Sequence, residues 1–277
     1  MFDLLGAQSA ATQIAPLAQN PKGFFESRPV ARANDRLLEQ AGQVWHHPRM
    51  ISPDWLAGEE AIAFGEGGYE LLNDEFGGRD QIILKDPRIA RLFPVWAPIL
   101  VAAEYEVCVV CTFRHPREVS FSLRDRNKFP PSHGYVLWAV DLLQAEIGSR
   151  GFNRDFSSFD QLLDDPVKLM TRLGQELGIS FEKRPRDLKR QFTEFLDTSL
   201  RHHQATNVPM RPLFTELVSI FSRWAAWGEN GADHARLDYL REEIASQTEA
   251  AFATEDPDYE ELYQAVADIG SGSARAS

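Results

Sequence analysis

The residues best placed to do chemistry in this chain are cations that directly follow apolar runs. Gln81-Ile82-Ile83-Leu84 delivers Lys85-Asp86-Pro87-Arg88, and the apolar run over residues 107–113 delivers Arg114-His115-Pro116-Arg117. In an open parallel sheet, ligands bind beyond the carboxyl ends of the strands. One cation at such a place does no more than mark where a strand meets water. Two runs that deliver cations to the same edge point towards an anion site. The second run carries more. Pro116 suits the first position of a helix, and a helix N-terminus offers free amides and a positive dipole end to an anion. Ser122 follows Arg114 by eight residues, with Arg117 and Ser120 nearby. A guanidinium gripping phosphate in a fork, with a hydroxyl beside it, makes a compact phosphate clamp, although on spacing alone the pattern has low specificity.

Other constellations carry less. His46-His47 and His202-His203 are pairs of neighbours; adjacent side chains diverge, and no Cys or carboxylate cluster joins them at ligand spacing, so no metal is expected. The two cysteines, Cys108 and Cys111, would point to opposite faces of a strand, which supports neither a disulfide framework nor a metal site. Trp224 and Trp227 lie three apart in a helical pattern and read as core rather than as a ligand platform.

Positioning these residues calls for strands alternating with helices. The strands are expected at 81–84, 107–113 and, more weakly, 155–159. Helices are expected over 29–41, 54–76 (interrupted near Gly65 to Gly68), 89–103, 117–127, 135–149 and 165–177. The last of these opens on Asp165-Pro166 and stops at Gly178. Residues 1–8 read as the tail of an apolar helix. This alternation predicts an α/β fold, a parallel sheet with helices on both faces. From about residue 197 only helices are expected, at 213–227 and 234–252. The organisation is therefore an α/β domain over 1–200, a helical extension of the same domain over 201–270, and a disordered tail over 271–277.

Composition narrows the function. The chain of 277 residues carries 29 Lys and Arg against 41 Asp and Glu, a formal net charge of −12. Nucleic acid and anionic membrane both need a positive field, so neither is an expected partner. No apolar run approaches the ~18 residues of a membrane span. No basic region followed by an apolar stretch opens the chain, so no signal peptide is expected and the default location is cytoplasmic.

Four segments taken together resemble the bacterial sulfotransferase family. They are Asn20-Pro21-Lys22-Gly23-Phe24-Phe25-Glu26-Ser27-Arg28, Leu84-Lys85-Asp86-Pro87-Arg88, Arg114-His115-Pro116 with Ser122, and Ser158-Phe159-Asp160-Gln161-Leu162-Leu163. The resemblance runs from about Leu4 to His203 and implies a P-loop NTPase-like sulfotransferase fold. It implies transfer of a sulfuryl group from 3′-phosphoadenosine 5′-phosphosulfate (PAPS) to a hydroxyl on a glycan, lipid, small alcohol or tyrosine, without metal. It places Arg114 and Ser122 on the donor's 3′-phosphate. The Glu26-x-Arg28 pair is similar to one in tyrosylprotein sulfotransferases, which implies both as catalytic residues, with Glu26 the base that takes the acceptor's proton. The Lys-Asp-Pro run implies Lys85 as the cation that stabilises the transferring group. Leu200-Arg201-His202-His203 resembles a further family segment, but Arg201 is not counted among the site residues.

One family feature is not in the chain: the Gly-rich loop ending in Ser-Gly-Thr that cradles the 5′-phosphosulfate. Residues 1–7 resemble the helix that follows it, so the expectation is a chain truncated before Met1, short of its first strand. The alternative is a degenerate sulfotransferase-like protein that binds a nucleotide or a partner without catalysis. A nucleotide-dependent kinase would need a Gly-Lys-Ser/Thr loop, which is also missing.

Overall fold

The structure, a computed structural model, describes residues 1–17, 20, 22–196, 210–253 and 257–269. Its sheet is a parallel pair. β1 (Cys108–Phe113) lies beside β2 (Asn153–Ser158) in a register that sets Cys108 opposite Asn153 and Phe113 opposite Ser158. The alternation of side chains along β1 decides what covers each face. Val109, Cys111 and Phe113 join one core with Phe156, and Cys108 and Val110 join another with Leu169 and Met170. The cysteines therefore face opposite sides, as their spacing predicts, and both are free thiols.

Two helices connect the strands. α5 (Pro116–Asn127) opens with His115, whose Nδ1 accepts from the Arg117 N–H at 3.3 Å, and ends at Lys128 in the left-handed region, φ 64°. α6 (Pro131–Gly148) buries residues on every side, among them Val136, Leu137, Trp138, Val140 and Leu143. A helix apolar all round belongs in the centre of a core. α5 and α6 approach most closely at Gly134, where a Cβ would stand 2.6 Å from the Ser120 Cα. Backbone cannot yield as a side chain does, so Gly134→Ala is expected to destabilise the fold by about 1–3 kcal/mol. A urea midpoint equal to that of the parent would refute the close approach.

The other helices wrap this centre. α1 (Arg28–Gln40), the short α2 (Pro53–Leu56), α3 (Glu59–Phe76) and α4 (Ile89–Ala102) form a second core around Leu37, Leu38, Leu72 and Trp96. α7 (Phe159–Asp164) follows β2, and α8 (Pro166–Glu176) and α9 (Lys189–Phe195) close the sheet's far face through Leu173 and Phe192. α10 (Pro212–Trp227), α11 (His234–Ala251) and α12 (Tyr259–Ala267) share the α6 core, with Phe156 against Phe221 and Trp224. No described helix is long and apolar enough to cross a membrane.

Several expectations need correction. Residues 81–84 form no strand of the sheet. Gln8 is their extended partner: its N–H donates to the Gln81 carbonyl at 2.9 Å and its carbonyl accepts from Ile83, a single bridge that does not grow into a ladder. Residues 1–8 are not the tail of an α-helix; a 3₁₀ turn at Asp3–Leu5 ends at Gly6, φ 111°. The third strand starts earlier than expected, at Asn153 opposite Cys108, and stops at Ser158 because Ser158 caps α7. Its Oγ accepts from the Gln161 N–H, and the Gln161 side chain accepts from the Ser158 N–H. α3 runs unbroken through Gly65, Gly67 and Gly68, its packing on α4 overriding their low propensity. Trp224 is buried as expected, but Trp227 is 82% exposed, being the last residue before Gly228 turns the chain away. Arg201, His202, His203, the expected boundary at 200 and the tail at 271–277 lie outside the described residues.

Candidate functional site

Glu26 sits where a loop meets a helix. Asn20 closes the loop's turn, its Nδ2 donating to the Gly23 carbonyl at 2.7 Å. Phe25 takes a left-handed backbone, φ 56°, a strained conformation for an aromatic residue. Beyond it the chain is held extended, with the Glu26 carbonyl accepting from Ile14 and the Arg28 N–H donating to Thr12. Ser27 then caps α1, its Oγ accepting from the Val30 N–H at 3.1 Å. The Glu26 side chain is 8% exposed, so its carboxylate is nearly withdrawn from water.

Lys85 reaches this carboxylate from a segment 59 residues away. Its Nζ donates to Glu26 Oε1 at 2.5 Å and to the Phe24 carbonyl at 3.1 Å, with the side chain half in solvent. Arg88 fixes the approach. It donates to Asp35 of α1 at 2.6 and 3.2 Å and to buried Asp86 at 3.0 and 3.2 Å, and so ties the 85–88 segment to α1. Burial works against the Arg88 charge, but the two carboxylates outweigh it and hold the guanidinium above its ordinary pKa. The pair offers a proton acceptor and a cation at one point. Arg28 does not join it: the side chain is exposed at the first position of α1 and makes no ion pair among the described residues.

Arg114 sits at the carboxyl end of β1. Because Phe113 faces Ser158, Arg114 and Phe159 leave the sheet side by side, and the guanidinium lies 4.8 Å from the Phe159 ring centre. Its Nε donates to Glu118 Oε2 at 2.5 Å, and its carbonyl accepts from the Trp138 indole at 2.9 Å. Glu118 is fully buried in the first turn of α5, where the helix dipole favours a carboxylate. Ser122 is half-buried further along α5, and its hydroxyl makes no hydrogen bond among the described residues. Among the described residues, no hydrogen bond or ion pair joins Glu26 or Lys85 to Arg114 or Ser122. Sequence reasoning missed Glu118 and Phe159; the four-residue spacing from Arg114 to Glu118 was the available signal.

Among the described residues, one set of potential metal ligands comes together: Glu146, Glu229 and His234. Arg154 donates to Glu146 and Glu229, and Arg150 to Glu146, so cations already occupy these carboxylates. The cluster reads as an ion-pair network that ties α6 to β2 and α11.

His46 and His47 lie beside a third histidine, His133. His133 Nε2 donates to the His46 carbonyl at 2.6 Å, and its ring is stacked between Phe129 and Tyr259. Burial pushes its pKa down to about 4, helped by the neighbouring His46, His47 and Arg91 and opposed by the bond to the carbonyl. The unfolded chain takes this proton near pH 6.5 and the folded chain only near pH 4. His133 thus contributes stability that is full above about pH 6.5 and is lost as the pH falls towards 4, on the order of 3 kcal/mol. His133→Phe keeps the stack and has no proton to take. Its urea midpoint is expected to fall much less between about pH 7 and about pH 4.5; an equal fall in both proteins would contradict the assignment.

No family model matches the chain, and neither does any curated protein or solved structure.

Proposed function

We propose that the chain is a PAPS-dependent sulfotransferase acting on a hydroxyl acceptor, with a P-loop NTPase-like arrangement of its parallel strands and a cytoplasmic location. The observation that carries the proposal is the meeting of Glu26 and Lys85. A buried carboxylate and a half-exposed ammonium, far apart in sequence, share one point at a strained loop. Glu26 takes the acceptor's proton as the oxygen attacks sulfur. The new S–O bond forms as the bond to the bisphosphate oxygen breaks, and that oxygen keeps the electron pair. Lys85 offsets the negative charge that builds on the sulfuryl and leaving oxygens. Arg114 and Ser122 grip the donor's 3′-phosphate at the N-terminus of α5, with Glu118 and Phe159 orienting the guanidinium. Most of the rate enhancement then comes from positioning and charge stabilisation, as in phosphoryl transfer.

A second reading is favoured by one observation: among the described residues, no hydrogen bond or ion pair joins the Glu26–Lys85 pair to Arg114 or Ser122. It keeps the 3′-phosphate clamp and drops the transfer, leaving a nucleotide-binding or partner-binding protein. The experiment that separates the two follows adenosine 3′,5′-bisphosphate released from PAPS in the presence of hydroxyl acceptors. Release above the uncatalysed rate supports transfer, whereas PAPS binding without release selects the second reading.

A further inference from the structure

An arginine ridge runs along α1 away from Glu26. Arg28, Arg32 and Arg36 recur every four residues on one side of the helix, about 12 Å from first to last at 1.5 Å per residue. All three are exposed, and none makes an ion pair or side-chain hydrogen bond among the described residues. That is unusual in a chain with a net charge of −12, whose other arginines are largely paired. The placement also works against the helix. Like charges four residues apart repel, and cations in the first turns oppose the dipole. Arg32 and Arg36 form the rim of a shallow groove between α1 and α3, whose floor is Ala33, Phe64, Gly67 and Leu71. Glu60 and Asp74 fall on the same side of α3 beyond the two ends of this floor, and neither pairs with the arginines.

We infer that this groove holds an acidic glycan, a chain of sugars carrying carboxylates, and that this polymer is the hydroxyl acceptor delivered to Glu26. The inference rests on the proposed function only for the role of acceptor. A row of guanidiniums spaced one helical turn apart suits a polymer with regularly repeated negative charge. The floor suits the apolar C–H faces of sugar rings, since Ala33, Phe64, Gly67 and Leu71 make it apolar and partly aromatic. An acidic peptide fits less well. An extended peptide brings backbone N–H and C=O groups that need partners, and the flanks of two helices have none to offer.

The test is equilibrium binding of polygalacturonate to the full chain, beside a neutral glucan, poly-glutamate and phosphatidylserine vesicles. Polygalacturonate is expected to bind, to weaken as salt rises, and to exceed the other three by at least about tenfold, a difference of about 1.4 kcal/mol. The double substitution Arg32→Ser with Arg36→Ser is expected to cost at least about tenfold in affinity, again about 1.4 kcal/mol. A Cβ at Gly67 meets nothing within 4 Å, so Gly67→Leu fills the floor without disturbing the fold and is expected to cost a similar factor. It carries the test alone if the double variant fails to fold. The inference is overturned if polygalacturonate does not bind, or binds both variants as it binds the parent. Equal or tighter binding of poly-glutamate or of vesicles also overturns it, in favour of an acidic peptide or a lipid surface. Stabilisation by adenosine 3′,5′-bisphosphate, measured on the same samples, keeps the two readings apart. Glycan binding without nucleotide stabilisation ends the donor site and leaves the groove standing.

Discussion

Glu26→Gln is expected to lower the turnover of PAPS by about 10²-fold or more and to leave nucleotide affinity unchanged. The amide keeps the size of the carboxylate and still accepts a hydrogen bond from Lys85, so the loop and the capping Ser27 have no reason to move. What it cannot do is take a proton. Lys85→Ala is expected to lower turnover as well, because no charge then offsets the transferring group. The two losses fall short of additivity when both residues act on one transition state. A plain structural ion pair behaves otherwise. With Lys85 half in water it contributes only about 0–1 kcal/mol to stability and nothing to rate. Turnover is read as bisphosphate released, and an unaltered rate in Glu26→Gln ends its role as base.

Arg114→Lys is expected to remove most of the stabilisation that adenosine 3′,5′-bisphosphate gives the fold. Lysine keeps a positive charge near buried Glu118 but loses the planar fork that grips phosphate. Alanine is the poorer test. It removes the guanidinium that Glu118 faces at 2.5 Å, and breaking a buried pair by deleting one partner costs on the order of 3 kcal/mol. A failed nucleotide response in that variant would then be a failed fold. Ser122→Ala is expected to give a smaller loss, that of a single hydrogen bond to the anion, about 1.5–3 kcal/mol. Equal nucleotide-induced Tm shifts in the parent and in Arg114→Lys would exclude Arg114 as the phosphate ligand.

Caps and strand ends set by a few neighbouring residues are legible in the sequence, whereas pairing and packing set by the whole fold are not. The β-branched run ending at Phe113, the Pro116 helix start and the Asp165 cap each depend on a few neighbouring residues, and each stands where expected. The strand at 81–84 has the right composition but lacks an extended partner of its own length, and pairing is a property of two segments. Trp227 carries the right helical phase and lies two residues beyond Ala225, the last buried residue of α10. In the site, cations at the ends of apolar runs singled out Lys85 and Arg114. Nothing in the spacing said that Lys85 would meet Glu26, or that Arg28 would stay outside the pair. The Glu118 and Phe159 contacts follow from the register of β1 on β2, which single-chain periodicity does not encode.

The central claim is recognition of a 3′-phosphate by the carboxyl end of β1, and calorimetric titration tests it without reference to any acceptor. Adenosine 3′,5′-bisphosphate and adenosine 5′-phosphate differ only in the 3′-phosphate that Arg114 and Ser122 are proposed to hold. The account predicts that the bisphosphate binds the full chain and that removing the 3′-phosphate weakens binding by at least about tenfold, roughly the 1.5–3 kcal/mol of a charge-assisted hydrogen bond. Equal affinity for the two nucleotides, or no heat from either, would contradict it.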